Sequence, residues 1–184
     1  MQINHQEKLR KVEVVSYRKE WTSLYRQEAE QLKNIFTESL HSTHHIGSTA
    51  IVQAHAKPII DIMLLFFDIL EADRHGQSMK DLGYIGLGEY GISGRRFFYK
   101  GQNPRSFHIH AFYYKNPLAL DHLLFRDHMN NHPDEAKTYS QLKLQLARQY
   151  PTDIVSYVNE KSKYVEALLK QLKQQTRTRD VAVA

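Results

Sequence analysis

The run from Pro58 to Phe67 is apolar at every position but Asp61. A run of this kind fits a strand buried on both faces, and Pro58 is tolerable at its start. Alternation with period two puts Asp61 on one face with Ile59, Met63 and Leu65, and turns Ile60, Ile62, Leu64 and Phe66 to the other. A lone carboxylate among aliphatic side chains is costly to bury. Asp61 therefore needs a metal, an Arg or Lys partner, or a place at the mouth of the strand.

The rest of the chain divides by its spacing. Val12, Val14 and Val15 predict an opening edge strand, and Trp21, Leu24, Tyr25, Leu32, Ile35 and Phe36 recur as the apolar stripe of a helix. Asp68 to Leu82 predicts one short helix, after which Gly83, Gly86, Gly88, Gly91 and Gly94 break the chain into turns and short strands. Two strands follow, Arg96 to Lys100 and Ser106 to Tyr114, joined through Gly101 to Pro104 as a hairpin. On the second strand Phe107, Ile109 and Ala111 face one way, while His108, His110 and Phe112 face the other. Three helices complete the chain, Pro117 to Asn131, Pro133 to Gln149 and Asp153 to Gln171, with prolines near their starts. The expected class is α+β, a mixed β-sheet flanked by helices with a helical C-terminal portion.

Composition narrows the chemistry only slightly. A chain of 184 residues without a linker-like segment is expected to form a single domain over residues 1–172, with 173–184 as a flexible basic tail. The absence of cysteine removes disulfides, thiolate catalysis and the usual structural zinc sets, and no signal peptide or long apolar run stands out. A cytoplasmic protein with no membrane partner is the expectation. The formal charge of +5 favours an anionic partner, although Lys173, Arg177 and Arg179 in the tail supply part of it.

Phosphate chemistry is the leading reading of the polar motifs. In Gly47-Ser48-Thr49 a tight turn lets backbone N–H groups approach anionic oxygens, and the Asp61 carboxylate on a rigid strand can hold a divalent cation. The same turn could simply cap a helix through Ser48 or Thr49. His108 and His110 set two imidazoles on one sheet face, a ligand type that suits zinc, manganese or iron more than magnesium. Convergence of Asp61, His108 and His110, with His45 nearby, would build a metal site from histidine where carboxylates are lacking. Without a metal, Asp61 could instead orient an imidazole that moves a proton. Lys57 precedes the acid strand, and Arg95, Arg96, Lys100 and Arg105 surround the hairpin. Because side chains alternate there, only one of the two adjacent arginines reaches a given pocket. Arg96 with Lys100 is the pair expected to contact phosphate, the alternative being a solvated basic edge. Arg126 and Asp127 are expected to pair or cap structurally with Phe125 in the core, and His122 to be a surface residue.

These motifs also carry a resemblance. The Gly-Ser turn followed by an acid on a strand resembles the core of the nucleotidyltransferase superfamily. Val12 to Trp21, Gly94 to Lys100, Ser106 to His110, and Leu124 to Asp127 with His132-Pro133 resemble successive signatures of the GrpB family (UPF0157). The resemblance spans roughly residues 12 to 170 and implies a nucleotidyltransferase-like fold. Taken with the residues read above, the expectation is catalysis by Asp61 with His108 and His110, and nucleotide or phosphate binding by Gly47, Ser48, Thr49, Lys57, Arg96 and Lys100. A divalent metal, Mg or Mn with Zn as an option, would be the cofactor, held by Asp61, His108, His110 and His45. One departure stands out: the second strand acid of the superfamily pattern falls at Met63. A second departure is Gln53-Ala54-His55, where the family has a Pro-Gly turn.

Three functions remain open at this level. The first is metal-dependent transfer of a nucleotidyl group from a nucleoside triphosphate to a small-molecule acceptor. The second is non-catalytic binding of a nucleotide or phosphometabolite. The third is an Asp/His metal-dependent phosphohydrolase. No alternation of basic and aromatic residues marks a single-strand nucleic-acid surface, so a nucleotide or phosphorylated small molecule is the expected partner.

Overall fold

The computed structural model describes residues 11–102 and 104–182, with side chains as far as residue 175. Asn103 of the hairpin loop and the side chains of Arg177 and Arg179 lie outside the described residues. The elements are α1 (Glu20–Phe36), β1 (Leu40–Ile46), β2 (Ile60–Phe66), α2 (Leu70–Arg74), α3 (Gly76–Asp81), β3 (Tyr84–Gly86), β4 (Arg96–Lys100), β5 (Phe107–Tyr113), α4 (Pro117–Asn131), α5 (Pro133–Gln149) and α6 (Ile154–Ala182). No described helix is long and apolar enough to cross a membrane.

The five strands form one mixed sheet in the order β1-β2-β5-β4-β3. Strands β2 and β5 run parallel, and the other neighbours are antiparallel. Alternation along β2 sorts its residues as the sequence predicts. Ile60, Ile62, Leu64 and Phe66 pack with Trp21, Leu32 and Phe36 beneath α1, whereas Met63 and Leu65 join Ile46, Phe112 and Ala119 on the other side. That second face is the one α4, α5 and α6 approach, and it carries the site.

Local chemistry sets the helix ends. Pro117 opens α4, where the Asn116 side chain accepts the Leu118 N–H at 2.9 Å. Asp153 does the same for α6, accepting from the amides of Val155 and Ser156 at 3.1 and 3.0 Å. The observed limits of α4 and α5 match the sequence expectation, whereas α6 continues past Gln171 to Ala182. Lys173, expected in a tail, lies on that helix and pairs with Asp121 at 2.6 Å.

Three other elements differ from expectation. Val12 to Val15 does not form a strand; Val15 makes an isolated bridge with Ala56, and Val12 packs against Leu146, Ile154 and Tyr157. The segment Asp68 to Leu82 holds two short helices that divide at His75, which caps both. Strand β1 was not visible as a strand in the sequence because His41, Ser42, Thr43, His44 and His45 hide its pattern; its edge position tolerates these polar residues.

The helix on the opposite face of the sheet carries a buried ionic contact at its middle. Glu28 of α1 is 5% exposed. It accepts from Lys100 Nζ at 2.7 Å and from the Tyr84 hydroxyl at 3.1 Å. Replacing Lys100 with Met leaves a buried carboxylate without its cation. The expected loss is roughly 1–3 kcal/mol of stability, measured by denaturant unfolding, with ligand binding in the site unchanged.

Candidate functional site

The parallel pairing of β2 with β5 sets Asp61 beside His108 in register, two residue pairs from Met63 and His110. Both histidines therefore project from the same face as Asp61. Asp61 Oδ1 lies 3.1 Å from His108 Nδ1 and 3.5 Å from His110 Nε2, and the three ligand atoms lie within 4.8 Å of one another. The side chains are 26, 17 and 14% exposed, so the cluster is recessed yet open on one side.

Burial disfavours the charged form of Asp61, but the hydrogen bonds and positive character of His108 and His110 outweigh it, holding the carboxyl well below the usual carboxylate range. For His108 burial is the larger influence and pushes its imidazole down, against the pull of Asp61. The remote ring nitrogens, His108 Nε2 and His110 Nδ1, are buried and have no hydrogen-bond partner among the described residues. The Phe97 ring packs against both imidazoles, its centroid 5.2 Å from that of His108 and 5.3 Å from that of His110. A proton relay needs one ring nitrogen on Asp61 and the other on substrate. Here the second nitrogen is sealed, which favours a ligand role over an acid/base role.

Gly47 closes the cluster from the side. It adopts φ +69°, and a Cβ there would lie 2.4 Å from Asp61 Oδ2. Glycine is thus required twice, by the backbone angle and by the carboxylate pressed against it. The chain after it turns through a short 3₁₀ helix, Ser48 to Ala50, which presents Ser48 to the cavity.

That cavity has a volume of about 330 Å³. Its sheet side carries Asp61, His108 and His110, with the Gly47 to Thr49 turn and Lys57 at the edge. Its helical side carries His122 of α4, Tyr139 and Lys143 of α5, and Tyr157 and Lys161 of α6. Lys143 is 1% exposed, donates to the His55 carbonyl and stands 4.3 Å over the Tyr139 ring. Burial, reinforced by Lys161, pushes its ammonium down to about 7. Lys57 packs 5.6 Å over the Tyr157 ring.

Several expected site residues lie elsewhere. His45 pairs with Ile62 across β1 and β2, and so belongs to the face opposite Asp61. Its Nε2 is 3.0 Å from Thr49 Oγ1, and its ring stacks on Tyr25 at 4.9 Å. Thr49 is 2% exposed and donates its one hydroxyl proton to the Ile59 carbonyl, so His45 must be the donor to Thr49. Both residues brace the turn, and His45 is not part of the Asp61, His108 and His110 group.

Arg96 and Lys100 pair with Ala111 and Phe107 of β5, again on the far face. Arg96 Nε binds both Asp73 carboxylate oxygens, at 2.7 and 2.9 Å, and Lys100 is held by Glu28. Neither reaches the cavity. Phe97 and Tyr99 occupy the histidine face instead, while Arg95 is buried over Phe97 and donates to the Tyr90 carbonyl.

Burial pushes the His45 imidazole down to about 4, so it stays neutral in the folded protein where the unfolded chain would be protonated. Below pH 6.5 the unfolded state binds the extra proton, and stability should fall between pH 6.5 and 4. His45→Phe keeps the stack on Tyr25 and removes the titration. Its melting temperature should fall less over that window than that of the wild type, by up to a few kcal/mol in stability; an equal fall would assign the acid sensitivity to other groups.

The fold has counterparts among known proteins. The GrpB protein family model matches residues 11–171. The chain belongs to the GrpB family. It is 42% identical over 157 residues to the UPF0157 protein YqkA of Bacillus subtilis, covering 85% of this chain and 46% of that protein, so it spans about half the length of that relative. The crystal structure of the conserved protein GrpB from Enterococcus faecalis matches with a TM-score of 0.81 at 34% identity, over 87% of this chain and 99% of that one. Terminal uridylyl transferase 4 from Trypanosoma brucei with bound dUTP matches with a TM-score of 0.53 at 11% identity, over 86% and 56%. This last likeness concerns the fold alone: the sheet and its flanking helices resemble those of that transferase.

Within this GrpB-family chain, three cavity residues escape sequence analysis. His122 is not on the surface: its ring lies 5.5 Å from that of His110, and burial pushes it down to about 4. Lys143 occupies the buried stripe of α5 with Ala136, Tyr139 and Leu146, and a lysine at an apolar stripe position was the signal that could have found it. Lys161 follows Tyr157 at helical i, i+4 spacing and gives no such signal. Arg126 is structural as expected: it pairs with Asp127 and ties α4 to β1 through the His45 carbonyl at 3.0 Å. Phe125 packs in the core.

Proposed function

We propose that this protein is a divalent-cation-dependent nucleotidyltransferase that moves a nucleotidyl group from a nucleoside triphosphate to a small-molecule acceptor. The observation that carries this reading is the facing of two unlike walls across one cavity, Asp61, His108 and His110 on the sheet and Lys143 and Lys161 on the helices opposite, with Lys57 at the edge. A cation held by the first wall would polarise a phosphoryl oxygen and offset charge developing on it. The residues fit such an ion, since three convergent donor atoms face one opening and both remote imidazole nitrogens are withdrawn from it.

The lysines supply positive charge for the remaining phosphates, and Ser48 at the turn stands where a hydroxyl can contact a phosphate oxygen. A volume of about 330 Å³ suits a small ligand better than a polymer. The buried Lys143 is protonated more readily beside an anion, so its charge and the ligand's affinity should both weaken as pH rises through about 7.

The test is a thermal-shift panel of the four nucleoside triphosphates, each with and without divalent metal, followed by product analysis for released pyrophosphate. One triphosphate should raise the melting temperature only when metal is present. Lys143→Met should weaken that binding about tenfold or more. Release of phosphate in place of pyrophosphate would make the protein a phosphohydrolase.

Met63 favours a second reading. It is 0% exposed at the position of the superfamily's second acid, which supports a nucleotide- or phosphometabolite-binding protein without catalysis. Saturable binding with no product under any metal would select it.

A further inference from the structure

We infer that Asp61, His108 and His110 form a site for one first-row transition ion of the Zn²⁺ or Mn²⁺ kind, and that it is not a Mg²⁺ pair. This rests on the cation-assisted reading above and concerns which cation this chain's residues can hold.

The donor set is two imidazole nitrogens and one carboxylate oxygen. Imidazole favours borderline transition ions, whereas Mg²⁺ demands octahedral oxygen ligands and parts reluctantly with its water. The spacing agrees with a single centre. Bonds of about 2.1 Å to one ion place neighbouring donors about 3.0 Å apart in an octahedron and about 3.4 Å apart in a tetrahedron. The observed separations from Asp61 Oδ1 are 3.1 and 3.5 Å.

A second ion has no comparable home. An ion pair relies on an acid that bridges both ions. The neighbouring same-face position on β2 is Met63, enclosed with Ile46, Leu65 and Phe112 in an apolar cluster. Among the described residues, Asp61, His108 and His110 make the one group of three or more His, Asp or Glu side chains close enough to share an ion. The lysines across the cavity bring the positive charge that a second ion would otherwise bring to a polyphosphate. Each imidazole also has a single nitrogen to offer, because its other nitrogen is buried.

The experiment is equilibrium dialysis with elemental analysis on chelator-stripped full chain, without nucleotide, against Zn²⁺, Mn²⁺ and Mg²⁺. One Zn²⁺ or Mn²⁺ per chain should bind and resist a hundredfold excess of Mg²⁺. His108→Gln and His110→Gln should each weaken that binding tenfold or more while melting cooperatively. Should a variant unfold, the visible spectrum of the Co²⁺-loaded wild-type protein decides, nitrogen ligation giving bands shifted and stronger than those of aqueous Co²⁺. Two ions per chain, displacement by Mg²⁺, no bound ion, or an aqueous Co²⁺ spectrum would overturn the inference. A tightly bound single ion with no nucleotide transfer leaves it standing and retires the transferase reading. Transfer supported by Mg²⁺ in a protein that takes up no transition ion does the reverse.

Discussion

Asp61→Asn is expected to abolish metal-dependent turnover, by roughly 10²–10³-fold or more, while the protein still folds. Asn keeps the volume of the side chain on β2 and so preserves packing against Gly47. In the proposed role it removes the one anionic ligand, and its amide cannot replace the charge that would draw a divalent ion to the site. The effect should appear in product formation and in the metal-dependent thermal shift together. Turnover persisting in a folded variant would place the reactive centre elsewhere. The pH response follows the same chemistry. The carboxyl is held low by His108 and His110, so its stabilising contribution is present above the unfolded value near 3.8 and is lost as pH falls through the lower folded value. The Asn variant lacks this acid-side contribution and should be less sensitive to pH below about 4.

Gly47→Ala should be nearly as damaging, by a different route. The positive-φ, extended-ψ backbone at Gly47 is essentially restricted to glycine and costs an alanine roughly 1–3 kcal/mol, and the new Cβ would stand 2.4 Å from Asp61 Oδ2. Something must move, and the carboxylate is the neighbour directly in the way. Reduced stability and weakened cation binding should therefore appear together, by thermal melting and by metal titration. A double-mutant cycle separates the two causes. In the presence of Asp61→Ala the clash disappears and the backbone strain remains, so Gly47→Ala should cost less there than in the wild type. Additive effects would show that Asp61 and Gly47 do not press on each other.

The legibility of this site differed from residue to residue. Alternation along one strand was enough to put His108 and His110 together, and to separate Met63 from Ile62, because both relations depend only on the period of a strand. The choice between Arg96 with Lys100 and the opposite hairpin face could not be made that way. Both faces of β4 are chemically reasonable, and the face that becomes a cavity is decided by where α4, α5 and α6 settle. Arg96 and Lys100 went to Asp73 and Glu28 on the other side. His45 failed as a ligand for a similar reason, since the antiparallel register of β1 pairs it with Ile62 and not with Asp61.

From the sequence alone come the family, the α+β class, the extents of α4 and α5, the two faces of β2 and β5, and the residues Gly47, Asp61, His108 and His110 as a set worth joining. These follow from local rules: proline at helix starts, period two in strands, and the cost of a lone carboxylate in an apolar run. Only the tertiary structure could bring positions 61 and 108 to 3.1 Å, because the parallel pairing of β2 with β5 is a contact between segments distant in the chain. It alone could place Lys143 and Lys161 across the cavity. A lysine on a helix is ordinarily solvated, and its burial against Tyr139 and the His55 carbonyl depends on how the C-terminal helices dock on the sheet.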